Sequence, residues 1–160
     1  MSHGYIPPIL SDEYANPIAT HEMDLSTAAM LMKHLWDTWD YGGNENFLRE
    51  KVYPLLKELA IFYSAYVQKW EDGYFHAQPS FVQERFGLYY QCKYNTDAAA
   101  SLAMVKWTLR RAAEASELLG SDSELRPRWL LIADNMAPFS DGIVFRAQKD
   151  ESYLIKSISD

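Results

Sequence analysis

Apolar side chains recur every three or four residues along several stretches of the chain, which is the spacing of one helix face. The first stripe can begin after Asp24, a plausible N-cap, and ends at Gly42-Gly43, a pair typical of a left-handed residue at a helix C-terminus. Its members are Leu25, Ala28, Ala29, Met32, Leu35, Trp36 and Trp39. This pattern predicts a first helix.

A second stripe predicts a helix that starts near Pro54, because proline is tolerated in a first helical turn. Asn44 can cap a short helical turn before it, and Gly73 is expected to end it. The predicted inner face consists of Leu55, Leu56, Leu59, Phe62, Tyr63, Tyr66 and Trp70. Helices joined by a short Gly-Gly-Asn turn pack as an antiparallel hairpin. Residues 21–73 are therefore predicted to form a first helical hairpin.

The second half of the chain repeats this organisation over residues 95–138. Asn95 or Thr96 can cap a third helix that ends at Gly120, and Ser121-Asp122-Ser123-Glu124 has the form of a capping box that opens a fourth helix, closed by Pro138. The third helix is expected to bury Ala98, Leu102, Val105, Leu109, Ala112, Ser116 and Leu119, and the fourth Leu125, Trp129, Ile132 and Met136. Met104 and Trp107 lie off the third stripe, which predicts a further neighbour beside them.

Three segments lack helical periodicity. Residues 1–20 carry three of the seven prolines and are predicted to form an irregular arm. Residues 139–160 form a tail with a turn and a short strand-like run at 141–146. Residues 74–94 form a long aromatic-rich loop, and loops of this length inside helical domains are more often functional than not. The predicted fold class is all-α, one domain of antiparallel helical hairpins.

Composition excludes several function classes. The net charge is −7, with no Lys/Arg-rich run, so neither nucleic acid nor an anionic membrane is an expected partner. The single cysteine, Cys92, excludes an internal disulfide and a multi-thiolate metal site. The four histidines show no paired ligand spacing, so no metal and no cofactor is predicted. The first residues have no signal-peptide pattern, which gives a cytoplasmic location as the default expectation.

Several short motifs follow one another along the chain, and their order is more informative than composition. They are Lys33-His34-Leu35-Trp36, the run Gly43-Asn44-Glu45-Asn46-Phe47-Leu48-Arg49-Glu50, and Tyr53-Pro54-Leu55-Leu56-Lys57-Glu58, followed by Asp72-Gly73-Tyr74, Pro79-Ser80, Glu84, Asn95-Thr96-Asp97 and Ala115-Ser116-Glu117-Leu118-Leu119-Gly120. Over roughly residues 25–145 this series resembles the (α/α)₆-barrel, or six-hairpin, glycoside hydrolases. It is most similar to the α-L-fucosidase family, family 95.

The resemblance implies part of an α/α toroid and an inverting glycosidase that acts on a carbohydrate. Inversion needs one carboxylic acid to protonate the leaving oxygen and a base on the opposite face to activate water. Glu84 matches the position of the acid, and Asp97 is the candidate second catalytic carboxylate. Two alternatives remain open. Asp97 can instead stabilise the dipole of a first helical turn, and Glu84 can be a solvated carboxylate held ionised by Arg85.

The loop and the first helix supply the candidate substrate-binding residues. Aromatic rings can stack on sugar rings, although they can equally anchor a loop to the core. The candidates are His34, Tyr74, His76, Phe81, Gln83, Arg85 and Tyr90.

The length of the chain limits these expectations. Its 160 residues supply about four helices, roughly a third of a six-hairpin barrel. We therefore expect a fragment, a decayed relative, or a short relative that completes its core as a homo-oligomer. Two functions stay in view. One is part of a glycosidase catalytic domain, and the other is a non-catalytic carbohydrate- or protein-binding module that self-associates.

Overall fold

A computed structural model describes residues 24–80 and 96–139, together with the backbone of two later strands. The fold class is all-α, as predicted. The helices are α1 (Ser26–Gly42), α2 (Glu45–Phe47), a π-helical turn (Leu48–Val52), α3 (Tyr53–Tyr66), α4 (Ala99–Leu119) and α5 (Arg126–Asp134). Two short strand pairs accompany them. β1 (Gln68–Lys69) pairs with β2 (Phe75–His76), and β3 (Ile143–Arg146) pairs antiparallel with β4 (Ser152–Ile155).

The chain forms two compact units. One comprises residues 26–75 and 103–136, and the other residues 1–25, 76–102 and 137–160. None of the helices in the described residues is both long and apolar enough to cross a membrane. The irregular arm predicted for residues 1–20 and the turn at 141–142 lie outside the described residues, whereas the strand-like run after that turn is confirmed as β3.

The first helix and the turn after it agree with their sequence signals. Gly43 has a φ of 65°, and its N–H donates to the Trp39 carbonyl over 2.7 Å, which closes α1 with a left-handed residue. Asn44 then caps α2. Its Oδ1 accepts from the N–H groups of Asn46 at 3.0 Å and Phe47 at 3.2 Å. The Ala28 position of the predicted stripe is exposed rather than buried.

Helix α3 is shorter than predicted and buries a different face. It ends at Tyr66, because Val67 is extended (φ −70°, ψ 142°) and leads directly into β1. Trp70 therefore lies outside the helix, and Gly73 belongs to the turn between β1 and β2. Leu56 and Tyr63 are buried as predicted. Leu55, 55% exposed, and Phe62, 49% exposed, are not, so the predicted inner face was wrong for these two residues.

Helix α4 confirms the predicted stripe completely. All seven of its residues are buried: Ala98 just before the helix, then Leu102, Val105, Leu109, Ala112, Ser116 and Leu119. Trp107 has the further neighbour that its off-stripe position predicted, since its ring meets that of Trp36 edge-on at 6.4 Å. Gly120 ends the helix with a φ of 62°.

The predicted start of α5 was wrong. A turn occupies residues 123–125, and the helix begins at Arg126 with Leu125 as an N-cap that makes no side-chain hydrogen bond. Ser121 and Glu124 do not form the capping box, because the φ of 49° at Asp122 prevents a helix from starting there and the Ser121 hydroxyl donates to the Leu119 carbonyl. The Asp122 carboxylate binds Tyr53 and Lys57 of α3. The helix ends at Asp134, ahead of Pro138. Trp129, Ile132 and Met136 are buried as expected.

Candidate functional site

A hydrogen-bonded cluster forms where the chain leaves β2 and where it approaches α4. His76 closes β2, and Asp97 lies two residues before the first residue of α4. The Nδ1 atom of His76 and the Oδ2 atom of Asp97 are 2.5 Å apart, and both side chains are largely buried. Two of the predicted site residues, 21 positions apart in sequence, are thus brought together.

Asp97 does not occupy a first helical turn, so the prediction that it stabilises the dipole of α4 from within the helix was wrong. Its φ is 57°, in the left-handed region that aspartate tolerates better than most residues. This backbone turns the Asp97 side chain toward β2. Its Oδ1 accepts from the Ala77 N–H at 2.8 Å, while its own N–H donates to the Ala77 carbonyl at 3.0 Å.

A second link lies beside the first. Ser80 is 1% exposed, and its Oγ accepts from the Ala98 N–H over 2.9 Å. Together these bonds fasten residues 76–80 to residues 97–98. We call this set, consisting of His76, Ala77, Ser80, Asp97 and Ala98, the anchor cluster. The chain that carries Glu84 connects its two sides.

The remaining predicted site residues are distributed as follows. Those that lie outside the described residues are Glu84, Phe81, Gln83, Arg85 and Tyr90. His34 is exposed on α1, where its carbonyl accepts from the Thr38 hydroxyl at 2.8 Å. Tyr74 is 43% exposed in the turn before β2, and its N–H donates to Asp72 at 3.0 Å. His34 and Tyr74 belong to one compact unit, His76 and Asp97 to the other.

The chemistry of the anchor cluster follows from its donors and acceptors. An ionised carboxylate can only accept hydrogen bonds, and each oxygen of Asp97 already accepts one, from a backbone N–H and from an imidazole. A neutral imidazole that donates from Nδ1 has its acceptor lone pair on Nε2. The cluster therefore holds the orientation of His76 and favours the Nδ1–H tautomer of a neutral ring. Across residues 24–80 and 96–139, no group of three or more His, Cys, Asp or Glu side chains is arranged to hold a metal ion.

Ser80 and Ala77 are the members of the cluster that sequence reasoning did not assign to the site. Ser80 carried a signal, since it stands in the Pro79-Ser80 pair of the family-like series. Ala77 takes part only through its backbone, for which no residue-type signal exists. The contact between His76 and Asp97 depends on the left-handed backbone at Asp97, which a helix-start pattern does not indicate.

Comparison of the sequence with known proteins identifies a family. Residues 11–143 match the glycosyl hydrolase family 95 catalytic domain. The chain is 26% identical over 99 residues to alpha-L-fucosidase 2 of Arabidopsis thaliana, which covers 60% of this chain and 12% of that relative. It is 27% identical over 146 residues to the periplasmic/secreted acid trehalase of Candida glabrata, which covers 86% of this chain and 12% of that relative.

The chain thus spans about an eighth of the length of the two curated relatives, in each case 12%. The family match, by contrast, includes α1 to α5 and the whole anchor cluster. The suspected resemblance is confirmed, and the chain is a glycoside hydrolase-like helical domain. The chain belongs to the family of glycosyl hydrolase family 95 catalytic domains.

Proposed function

We propose that this chain forms part of the catalytic domain of an inverting glycosidase, with Glu84 as the acid that protonates the leaving glycosidic oxygen. The observation that carries the proposal is the anchor cluster within the family match. Ser80 lies four positions before Glu84 and is fastened to Ala98 at 2.9 Å. A general acid must be held in a fixed position relative to the scissile bond, because small misplacements lower the rate strongly.

The base that activates water is the second requirement of inversion. The sequence offers no residue that matches this base. Asp97 is the candidate second carboxylate, and its two oxygens already accept hydrogen bonds from Ala77 and His76. Since the chain spans 12% of each relative, the proposal concerns a contribution to a larger catalytic domain. Other parts of that domain would then supply the rest of the site.

The proposed substrate is an α-linked glycoside. Its support is the names of the two relatives, an alpha-L-fucosidase and an acid trehalase. The predicted loop residues Phe81, Gln83, Arg85 and Tyr90 would provide rings and polar groups for the sugar, with His76 as a further candidate. Tyr74 and His34, which belong to the other compact unit, stay candidates by sequence alone. Aromatic rings suit the apolar faces of a pyranose, and the polar side chains suit its hydroxyls.

The test is hydrolysis of an aryl α-L-fucoside and of trehalose by the protein and by Glu84→Gln. Loss of a general acid is expected to lower kcat by about 10²- to 10⁴-fold with little change in sugar affinity. Glu71→Gln, a change of an exposed turn carboxylate, is the matched control and should retain full activity. The configuration of the released sugar, followed by NMR, must be inverted. Full activity of Glu84→Gln would exclude Glu84 as the acid.

A second candidate function, a non-catalytic module that self-associates, is favoured by one observation. Helix α3 is apolar on two sides. Leu56 and Tyr63 are buried, whereas Leu55 and Phe62 on a neighbouring face are about half exposed. Exposed apolar side chains that lie together on one helix face are typical of an interaction surface. We propose that a second copy of the chain covers this outer face, so that the protein is a homo-oligomer. Sugar binding without hydrolysis would support this candidate over the enzyme.

A further inference from the structure

Within the residues that the structure describes, Asp97 makes three hydrogen bonds, and each of them binds segment 76–77. Its Oδ2 meets His76 Nδ1 at 2.5 Å, its Oδ1 accepts from the Ala77 N–H at 2.8 Å, and its N–H donates to the Ala77 carbonyl at 3.0 Å. Its side chain is 17% exposed. A water-activating base needs an oxygen directed at the water that it deprotonates. The bonds of Asp97 are instead those of a residue that holds a neighbouring segment in place.

We infer that Asp97 is a positioning residue, which acts through His76 and Ala77 to fix the segment that leads to Glu84. The inference rests on the proposed function for its catalytic consequence, but not for its structural one. Asp97 holds residues 76–77, which precede segment 81–95, and Ser80 holds Ala98, which follows that segment, by accepting from its N–H. Both attachments are on one compact unit. They fix the described residues on both sides of segment 81–95.

The hydrogen-bond roles give a specific signature in Asp97→Asn. Asparagine tolerates the left-handed backbone, so the fold should persist. Its Oδ1 can still accept from the Ala77 N–H, but its other side-chain atom is then an NH₂ group facing His76. An NH₂ group only donates. Asp97→Asn therefore replaces the acceptor that faces His76 Nδ1 by a donor, which disfavours the Nδ1–H tautomer and favours the Nε2–H tautomer.

The first experiment measures that tautomer by long-range ¹H–¹⁵N NMR, at a pH at which the ring is neutral. The wild-type protein should show His76 as the Nδ1–H form, and Asp97→Asn should show the Nε2–H form. Asp122→Asn is the matched control, because Asp122 is the other left-handed aspartate of the described residues and also has a hydrogen bond on each of its two carboxylate oxygens. It should leave His76 unchanged. An unchanged tautomer in Asp97→Asn would overturn the inference, whether or not the protein hydrolyses glycosides.

The second experiment uses Ser80→Ala, which removes the acceptor of the Ala98 N–H without touching a carboxylate. Amide hydrogen exchange of Ala98 should accelerate at least tenfold, and the tautomer of His76 should be retained. Where hydrolysis is measurable, Ser80→Ala and Asp97→Asn should both lower kcat about tenfold or more at similar KM. A catalytic base would behave differently: Asp97→Asn would nearly abolish turnover while Ser80→Ala stayed active, and that pair of results would also overturn the inference.

Discussion

Thr108 lies in the middle of α4 with its side chain fully buried, at 0% exposure. Its Oγ1 atom has no hydrogen-bond partner among the residues that the structure describes. An unsatisfied buried hydroxyl costs about 1–3 kcal/mol. Thr108→Val keeps the shape of the side chain and replaces the hydroxyl by a methyl group. We expect the free energy of unfolding to rise by about 1 kcal/mol, as measured by urea denaturation.

Thr108→Ser is the matched control, because it keeps the hydroxyl and removes only the methyl group. The loss of a buried methyl is expected to lower the free energy of unfolding by about 1 kcal/mol. Opposite signs for the two variants would show that the hydroxyl, rather than side-chain volume, is the unfavourable feature. A destabilised Thr108→Val would mean that the hydroxyl makes a favourable interaction in solution.

At the scale of elements, Asp122 ties the turn between α4 and α5 to α3. Its two oxygens bind the Tyr53 hydroxyl at 2.7 Å and the Lys57 ammonium at 2.6 Å. The hydrogen bonds from Lys57 and Tyr53 hold the pKa of Asp122 below its ordinary value. The same bond to Asp122 raises the pKa of Lys57. Burial is the larger cause, and the hydrogen bond to Asp122 the second, that raises the pKa of Tyr53 to about 12.

Asp122→Asn should lower the free energy of unfolding at neutral pH by about 1 kcal/mol, a figure reduced for the partial exposure of the pair. Because the folded pKa of Asp122 is depressed, its contribution is present above the ordinary carboxyl pKa of about 4 and is lost as the pH falls through the lowered value. The difference in free energy of unfolding between wild type and variant should therefore disappear in acid, as measured by urea titrations from pH 7 to pH 2.

Asp134→Asn serves as the control for that experiment. Asp134 pairs with Arg110 at 2.9 Å, but its side chain is 59% exposed, so its removal should change stability by less than about 0.5 kcal/mol. Equal losses in the two variants would contradict the special role of Asp122. A gap for Asp122→Asn that stayed constant down to pH 2 would contradict the link to the lowered pKa.

The buried face of α4 could be predicted from the sequence, because its buried residues follow one stripe from Ala98 to Leu119 and Gly120 ends the helix. The end of α3 could not be predicted, because β1 begins two residues after Tyr66 while Val67 and Trp70 extend the apolar pattern beyond the helix. The failure of the capping box could not be predicted either. Asp122 is engaged by Tyr53 and Lys57, some 65 to 69 positions away, and local sequence contains no record of that contact.

Two side chains of the anchor cluster were named from sequence, but the contact between them was not predicted. His76 and Asp97 were both identified from sequence, one as a binding residue and one as a second carboxylate. The left-handed φ of 57° at Asp97 turned a predicted helix-start residue into the partner of His76. Ser80 became part of the cluster only through its contact with the Ala98 backbone. Such contacts depend on tertiary structure, which a pattern of residue types does not encode locally.

At the scale of the whole molecule, the proposed self-association depends on the outer face of α3. This face contains Leu55 and Phe62, seven residues apart and thus on one side of the helix. The Phe62 ring lies 5.7 Å from that of Tyr66, which extends the apolar surface along the helix. Exposed apolar patches of this kind mark interaction sites in soluble proteins. We therefore expect the wild-type chain to scatter light as a dimer or larger assembly at micromolar concentration.

The double variant Leu55→Gln/Phe62→Gln should be a monomer, because polar side chains on both anchor positions remove the apolar area that association would bury. Its helical circular dichroism should be unchanged and its melting temperature should not fall below that of a wild-type monomer, since both side chains are about half exposed in the single chain. Leu131→Gln changes an equally exposed leucine on α5 and should leave the assembly intact. A monomeric wild-type chain would rule out a second copy on α3, and dissociation by Leu131→Gln alone would place the contact on α5 instead.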